Sequence, residues 1–356
     1  MYMLKIISYI LCLIISCSFW SACEKKKGNQ LINDQENREL TENKFEPEDG
    51  KCIVFIGQDL GAVGGLDDYT DGYCDHFKMP AGVTVYFGMN DRGLYEKANW
   101  GSGDCCADLY PRSQKFSRSM IAIGFAIVGV EEKITRGECD EGLKKVGNWI
   151  KNLSPRPIFL RIGYEFDGFE WNHYKAETYV PAFRYIKNFF DSMQIDNIAY
   201  VWQSKGYGIS LSEHEKWYPG NEYVDWCGFS YFDKYDGNMI QFARSKDKPV
   251  FIAESTPSLH DGVKYIDSDI KKPEIAQKMW NEWFVGFFRI IENNPDVVKA
   301  FSYINVDWYA QDMWKTNVVF QQCDSRIQKS EYITIRWLQK MEENRYIHDS
   351  GLVWKQ

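Results

Sequence analysis

Two glutamates close apolar, β-rich runs in this chain of 356 residues. Glu165 ends Pro157-Ile-Phe-Leu-Arg161-Ile-Gly-Tyr164-Glu165, and Glu254 ends Pro249-Val-Phe-Ile-Ala-Glu254. Side chains alternate along a strand, so Arg161, Gly163 and Glu165 are expected on one face and Ile158, Leu160 and Ile162 on the other. An Arg and a Glu turned into a protein interior are costly unless they are paired or used. The same logic puts Glu254 at its strand's C-terminal end. Two carboxyl groups held about 5 to 5.5 Å apart can share a displacement, one attacking a carbon and one protonating the leaving oxygen, as retaining glycoside hydrolysis requires.

Other candidates are weaker. Asp167 and Glu170 lie past the strand end and read as rim or substrate-binding groups. Asp67, Asp68 and Asp71 lack the later bidentate Glu of a calcium loop and read as a solvated helix start. The His residues share no ligand spacing and no CxxC pair occurs, so neither a metal nor an organic cofactor is expected.

The elements that must hold the two glutamates follow from periodicity. Eight β-rich runs recur, Cys52 to Asp59, Gly82 to Met89, Met120 to Gly129, Pro157 to Glu165, Ile198 to Ser204, Asp225 to Phe232, Pro249 to Ser255 and Lys299 to Trp308. Helical patterns lie between them. In Pro273 to Asn294, Ala276, Met279, Trp283, Phe287 and Ile291 keep one apolar face at steps of three and four, with Pro at both boundaries. No Gly-rich phosphate fingerprint follows the first strand, so the alternation predicts a single (β/α)8 barrel rather than a doubly wound sheet. Active sites of such barrels stand at the C-terminal ends of the strands.

The N-terminus reads differently. Lys5, the apolar run Ile6 to Ile15 and Ser21-Ala22-Cys23 form a secretory signal resembling a bacterial lipobox, with lipid expected on Cys23. Residues 1–22 are read as the signal peptide, 23–50 as a flexible polar tether too poor in apolar residues to fold, and 51–356 as the barrel. The expected location is the bacterial cell envelope, with membrane contact only through the lipid. A net charge of -8 lacks the basic footprint of a nucleic-acid binder. Seven cysteines remain beyond Cys23, an odd number that leaves at least one free thiol. Aromatic residues make up 16%, more than a core needs, which suggests surfaces that stack on sugar rings.

The chain resembles glycoside hydrolase family 26, the β-mannanases with some β-glucanases and xylanases. The matching stretches are Gly57-Gln58-Asp59, Arg161-Ile-Gly-Tyr-Glu165-Phe-Asp-Gly168, Tyr200-Val-Trp202, Trp217-Tyr-Pro-Gly220, Tyr223-Val-Asp225, Gly228-Phe-Ser-Tyr231 and Lys248-Pro-Val-Phe-Ile-Ala-Glu254. The resemblance implies Glu165 as acid/base, Glu254 as nucleophile, Tyr231 as the tyrosine bonded to the nucleophile and Arg161 as the arginine beneath the site. It implies Trp171 and Trp202 as sugar platforms. Tyr164, Asp59 and Trp308 at strand ends are added as substrate-binding candidates. Tyr164 stands where the family usually has His, and no His ends the third strand, so the sugar stays open among β-mannan, β-1,3/1,4-glucan and β-xylan. The expectation is a monomeric retaining endo-β-glycosidase acting on polysaccharide, and its rival is an inactive carbohydrate-binding barrel of the same fold.

Overall fold

The apolar runs pair in parallel because each is followed by a connection long enough to return over the sheet. A computed structural model describes residues 43–258, 271–317, 320 and 323–348. Its barrel strands are β1 (Cys52–Gly57), β2 (Gly82–Gly88), β3 (Met120–Ala126), β4 (Ile158–Ile162), β5 (Ile198–Ser204), β6 (Trp226–Tyr231), β7 (Val250–Ser255) and β8 (Val298–Ile304). Each pairs with the next, and β8 closes on β1 with Ile53 opposite Ala300 and Gly57 opposite Ile304. This is a closed (β/α)8 barrel, as the alternation predicts.

The outer layer obeys helical spacing. Helix Ala176–Ser192, after β4, buries Tyr179, Ala182, Phe183, Ile186 and Phe190 at steps of three and four. The expected helix from Pro273 is present in three parts, α-helical Pro273–Met279, a π turn Trp280–Phe284, and α-helical Val285–Asn293. Capping also follows the sequence. Ser210 accepts from Glu213 N–H at the start of helix Leu211–Trp217, and Glu213 reaches back to Ser210.

Ring on ring fills the lower barrel. Phe55, Phe159 and Phe251 meet at centroid distances of 5.0 to 5.9 Å, and Trp226 lies 5.2 Å from Phe159. Here most of the aromatic surplus is spent on cores. Among the described residues the well-exposed aromatics are Tyr95, Phe169, Trp171 and Tyr309. The surplus is therefore a weak sign of sugar-binding surface.

One expected boundary moves. Lys44 to Gly50 belong to the barrel body rather than to the tether of 23–50. Phe45 sits under the barrel floor, 6.0 Å from Phe159, and the Trp226 indole donates to the Lys44 carbonyl at 2.7 Å. Lys299, fully buried on β8, is ion-paired to Asp49 at 2.5 Å. The signal peptide and Cys23 lie outside the described residues. The seven cysteines of the barrel are all free thiols.

Candidate active site

The inward residues change character from floor to mouth. Phe159 gives way to Arg161 on β4, Val201 to Gln203 on β5, and Trp226 to Ser230 on β6; Arg161, Gln203 and Ser230 are all fully buried. Buried polar groups of this kind must satisfy one another. The Arg161 guanidinium donates from Nη1 to Glu254 Oε1 at 2.6 Å and to Gln203 Oε1 at 2.9 Å. Gln203 Nε2 donates to Ser230 Oγ at 3.0 Å.

Burial disfavours the Arg161 charge, but Tyr86 and Glu254 act the other way and prevail, so the guanidinium stays charged. Its carbon also lies 4.9 Å from the Tyr86 ring centre and 5.4 Å from that of Tyr164. Gly124 on β3 makes room, because a Cβ there would stand 2.4 Å from the Tyr86 ring and 2.9 Å from Arg161 Nη2.

Strand alternation does not by itself aim either glutamate. On β7, Phe251 and Ala253 both face the barrel interior, which would send Glu254 outward. The pairing with β6 jumps from Phe229–Ile252 to Ser230–Glu254, a bulge at Ala253 that turns Glu254 inward. On β4 the strand stops at Ile162, and Gly163 and Glu165 both take left-handed backbone, with φ of 55° and 51°. Such a conformation costs a non-glycine residue about 1–2 kcal/mol and persists only where surroundings enforce it. Here Asn172 Nδ2 donates to the carbonyls of both Tyr164 and Glu165 at 2.9 Å, and Gly168 N–H donates to the Glu165 carbonyl at 2.8 Å.

Glu165 Oε2 accepts the Trp171 indole N–H at 2.9 Å. Burial, and then the negative charge of Glu254, push the Glu165 carboxyl well above the ordinary carboxylate range. A carboxyl kept neutral beside a carboxylate ion-paired to arginine is the division of labour that acid-plus-nucleophile chemistry needs. Trp171 and Phe169 are 46% and 45% exposed, and their rings lie 5.6 and 5.7 Å from Lys205 Nζ.

Several expected site residues stand elsewhere. Tyr231 faces away from the mouth; its ring lies 5.3 Å from Trp283 and 6.0 Å from Phe287, and a Cβ at Gly286 would be 2.8 Å from its hydroxyl. Ser230, one residue earlier, takes the inward place. Trp202 is fully buried, stacked on Phe166 at 4.4 Å among the outer helices, and offers no face to a sugar. Parity explains it, since its neighbours Val201 and Gln203 take the inward positions.

Trp308 is covered by Phe320 at 4.5 Å and donates to Thr256 Oγ1. Asp59 caps a short helix, accepting from Gly61 and Ala62 N–H, and holds Gln311, so its carboxylate is spent internally. Asp167 is fully buried and latches the β4 loop to β5 through Ser204 Oγ and the Lys205 N–H, both at 2.6 Å. The structure brings together Glu165, Glu254, Arg161, Tyr164 and Trp171, and adds Gln203, Ser230 and Asn172. The same strand parity that hides Trp202 would have pointed to Gln203.

A parallel barrel with paired carboxyl groups at its mouth defines the class, a (β/α)8 hydrolase of the two-carboxylate kind. The model of glycosyl hydrolase family 26 matches residues 126–323. A beta-1,3-xylanase of Alcaligenes sp is 32% identical over 332 residues, 87% of this chain and 67% of that protein. A beta-1,3-xylanase of Vibrio sp is 30% identical over 88% of this chain and 70% of its own length. Among solved structures, a GH26 beta-mannanase from Bacteroides ovatus superposes with a TM-score of 0.58 at 13% identity, covering 86% of this chain and 93% of that one. The chain belongs to glycosyl hydrolase family 26. It is a glycoside hydrolase, an endo-β-glycosidase of β-linked polysaccharide, and the rival of a barrel that merely binds carbohydrate is not favoured.

Proposed function

We propose that this enzyme hydrolyses β-1,3-xylan by double displacement, with Glu254 as nucleophile and Glu165 as acid and then base. The observation that carries the mechanism is the Arg161–Glu254 ion pair set beside the buried, upward-shifted Glu165. Glu254 attacks the anomeric carbon while Glu165 gives its proton to the departing oxygen. Forming the glycosyl ester removes the Glu254 charge that holds Glu165 protonated, and Glu165 can then take a proton from the incoming water. Activity accordingly falls as pH rises through the raised pKa of Glu165, because the acid form is lost.

The sugar rests on sequence likeness. The two xylanases are about 30% identical, whereas the mannanase shares 13% and supports the fold alone. Tyr164 in place of the family's usual His is a second reason to look away from mannan. Reducing-end release from β-1,3-xylan, β-1,4-xylan, β-mannan, mixed-linkage glucan and β-1,3-glucan tests this choice. The expected result is release from β-1,3-xylan with an early fall in mean chain length. Cleavage of mannan alone would overturn the sugar, and cleavage of none would overturn the site.

An envelope location through lipid on Cys23 is part of the proposal, supported by Ser21-Ala22-Cys23 after its apolar run. Cys23→Ala is expected to move the enzyme from the membrane fraction to the soluble one. Continued sedimentation with membranes would contradict the lipid anchor.

A further inference from the structure

Lys205 follows the last residue of β5 and is 7% exposed, an unusual place for an ammonium group. Its Nζ lies 5.6 Å from the Trp171 ring, 5.7 Å from Phe169 and 5.0 Å from Tyr207, and 3.3 Å from Glu170 Oε2. Three ring faces and one carboxylate therefore surround one cation. Trp171, nearly half exposed, is held on another side by Gly168, where any Cβ would come within 2.5 Å of the indole nitrogen. The same indole N–H is the hydrogen bond to Glu165.

We propose that Lys205 is a positioning residue for the acid/base. Its ammonium clamps the Trp171 ring in the orientation that delivers the indole N–H to Glu165. This rests on the reading of Glu165 as acid/base. Without the cation the exposed indole is free to rotate off Gly168, and Glu165 loses a hydrogen bond that favours its ionised form. The groups facing Glu165 are Glu254 from β7, Ser230 from β6, Asp167 and Trp171 from its own loop, Tyr164 beside it, and Tyr207 after β5. Losing the Trp171 bond removes a lowering influence, so the alkaline limb of the pH profile moves to higher pH.

The test uses leaving groups. In the full enzyme, kcat/KM reports the first displacement, where a dinitrophenolate leaves without a proton and a phenolate benefits from one. Aryl glycosides of the disaccharide that the wild type releases are compared in Lys205→Met and Lys205→Arg. Lys205→Met is expected to lose about tenfold or more on the phenyl glycoside and polysaccharide, and less than about threefold on the dinitrophenyl glycoside. Its alkaline limb should rise. Lys205→Arg should keep near wild-type values, since guanidinium retains the charge and stacks on rings.

Equal losses on both glycosides, no loss on either, or an unmoved alkaline limb would overturn the proposal. If Lys205→Met fails to fold, Trp171→Phe, which keeps a ring but lacks the N–H, must show the same leaving-group dependence or the proposal falls. Glu165→Ala in the same assay separates the two claims. If it lacks leaving-group dependence, Glu165 is not the acid; if it has it and Lys205→Met does not, Lys205 is not the clamp.

Discussion

A guanidinium with no water contact needs its counter-charge, and Arg161 has Glu254 at 2.6 Å. Removing one partner of such a pair leaves the other charge poorly compensated, at about 3–5 kcal/mol. Arg161→Met is therefore expected to destabilise the enzyme by about that much and to abolish turnover. In Arg161→Met/Glu254→Gln both charges are gone, so much of the stability should return without activity; urea unfolding measures it. A double variant as unstable as the single one would mean that Arg161 matters for packing rather than charge. The two glutamates and Arg161 were legible in the sequence because charge at a strand end is conspicuous. Their aim was not. Glu254 turns inward through a bulge, and Glu165 through two left-handed residues, neither of which strand periodicity contains. Tyr231 and Trp202 failed for the complementary reason, since a step of one residue reverses the face of a strand.

Eight strands and the helices between them could be read from spacing, because long periodic segments carry that signal many times over. The docking of Lys44 to Gly50 carries no such repetition. A single Phe in a polar stretch looks like tether, and only the aromatic floor formed by Phe159, Phe55 and Trp226 gives it a seat. Phe45→Ala is expected to cost about 2 kcal/mol, below the 3–5 of a fully enclosed aromatic, because Phe45 is half-buried. Removing residues 1–42 instead should leave thermal stability unchanged. If Phe45→Ala and the truncation have equal Tm values, the floor contact contributes nothing.

For the molecule as a whole, Arg161, Gln203, Ser230 and Glu254 gather at one end of the barrel, and Phe55, Phe159, Trp226 and Phe251 pack at the other. Lys44 lies on the floor, the end away from both glutamates. Glu165, Glu254 and the exposed Trp171 indole share the mouth, and the proposed mechanism gives the two carboxyl groups different tasks. Azide added to variant enzymes acting on an activated aryl β-glycoside separates those tasks, because azide needs no base and its direction of attack is recorded in the product. Glu165→Ala is expected to regain rate with azide and to yield the β-azide, by attack on a glycosyl enzyme still formed at Glu254. Glu254→Ala should yield the α-azide, by direct displacement, if it yields any. The opposite stereochemistry in each variant would contradict the assignment.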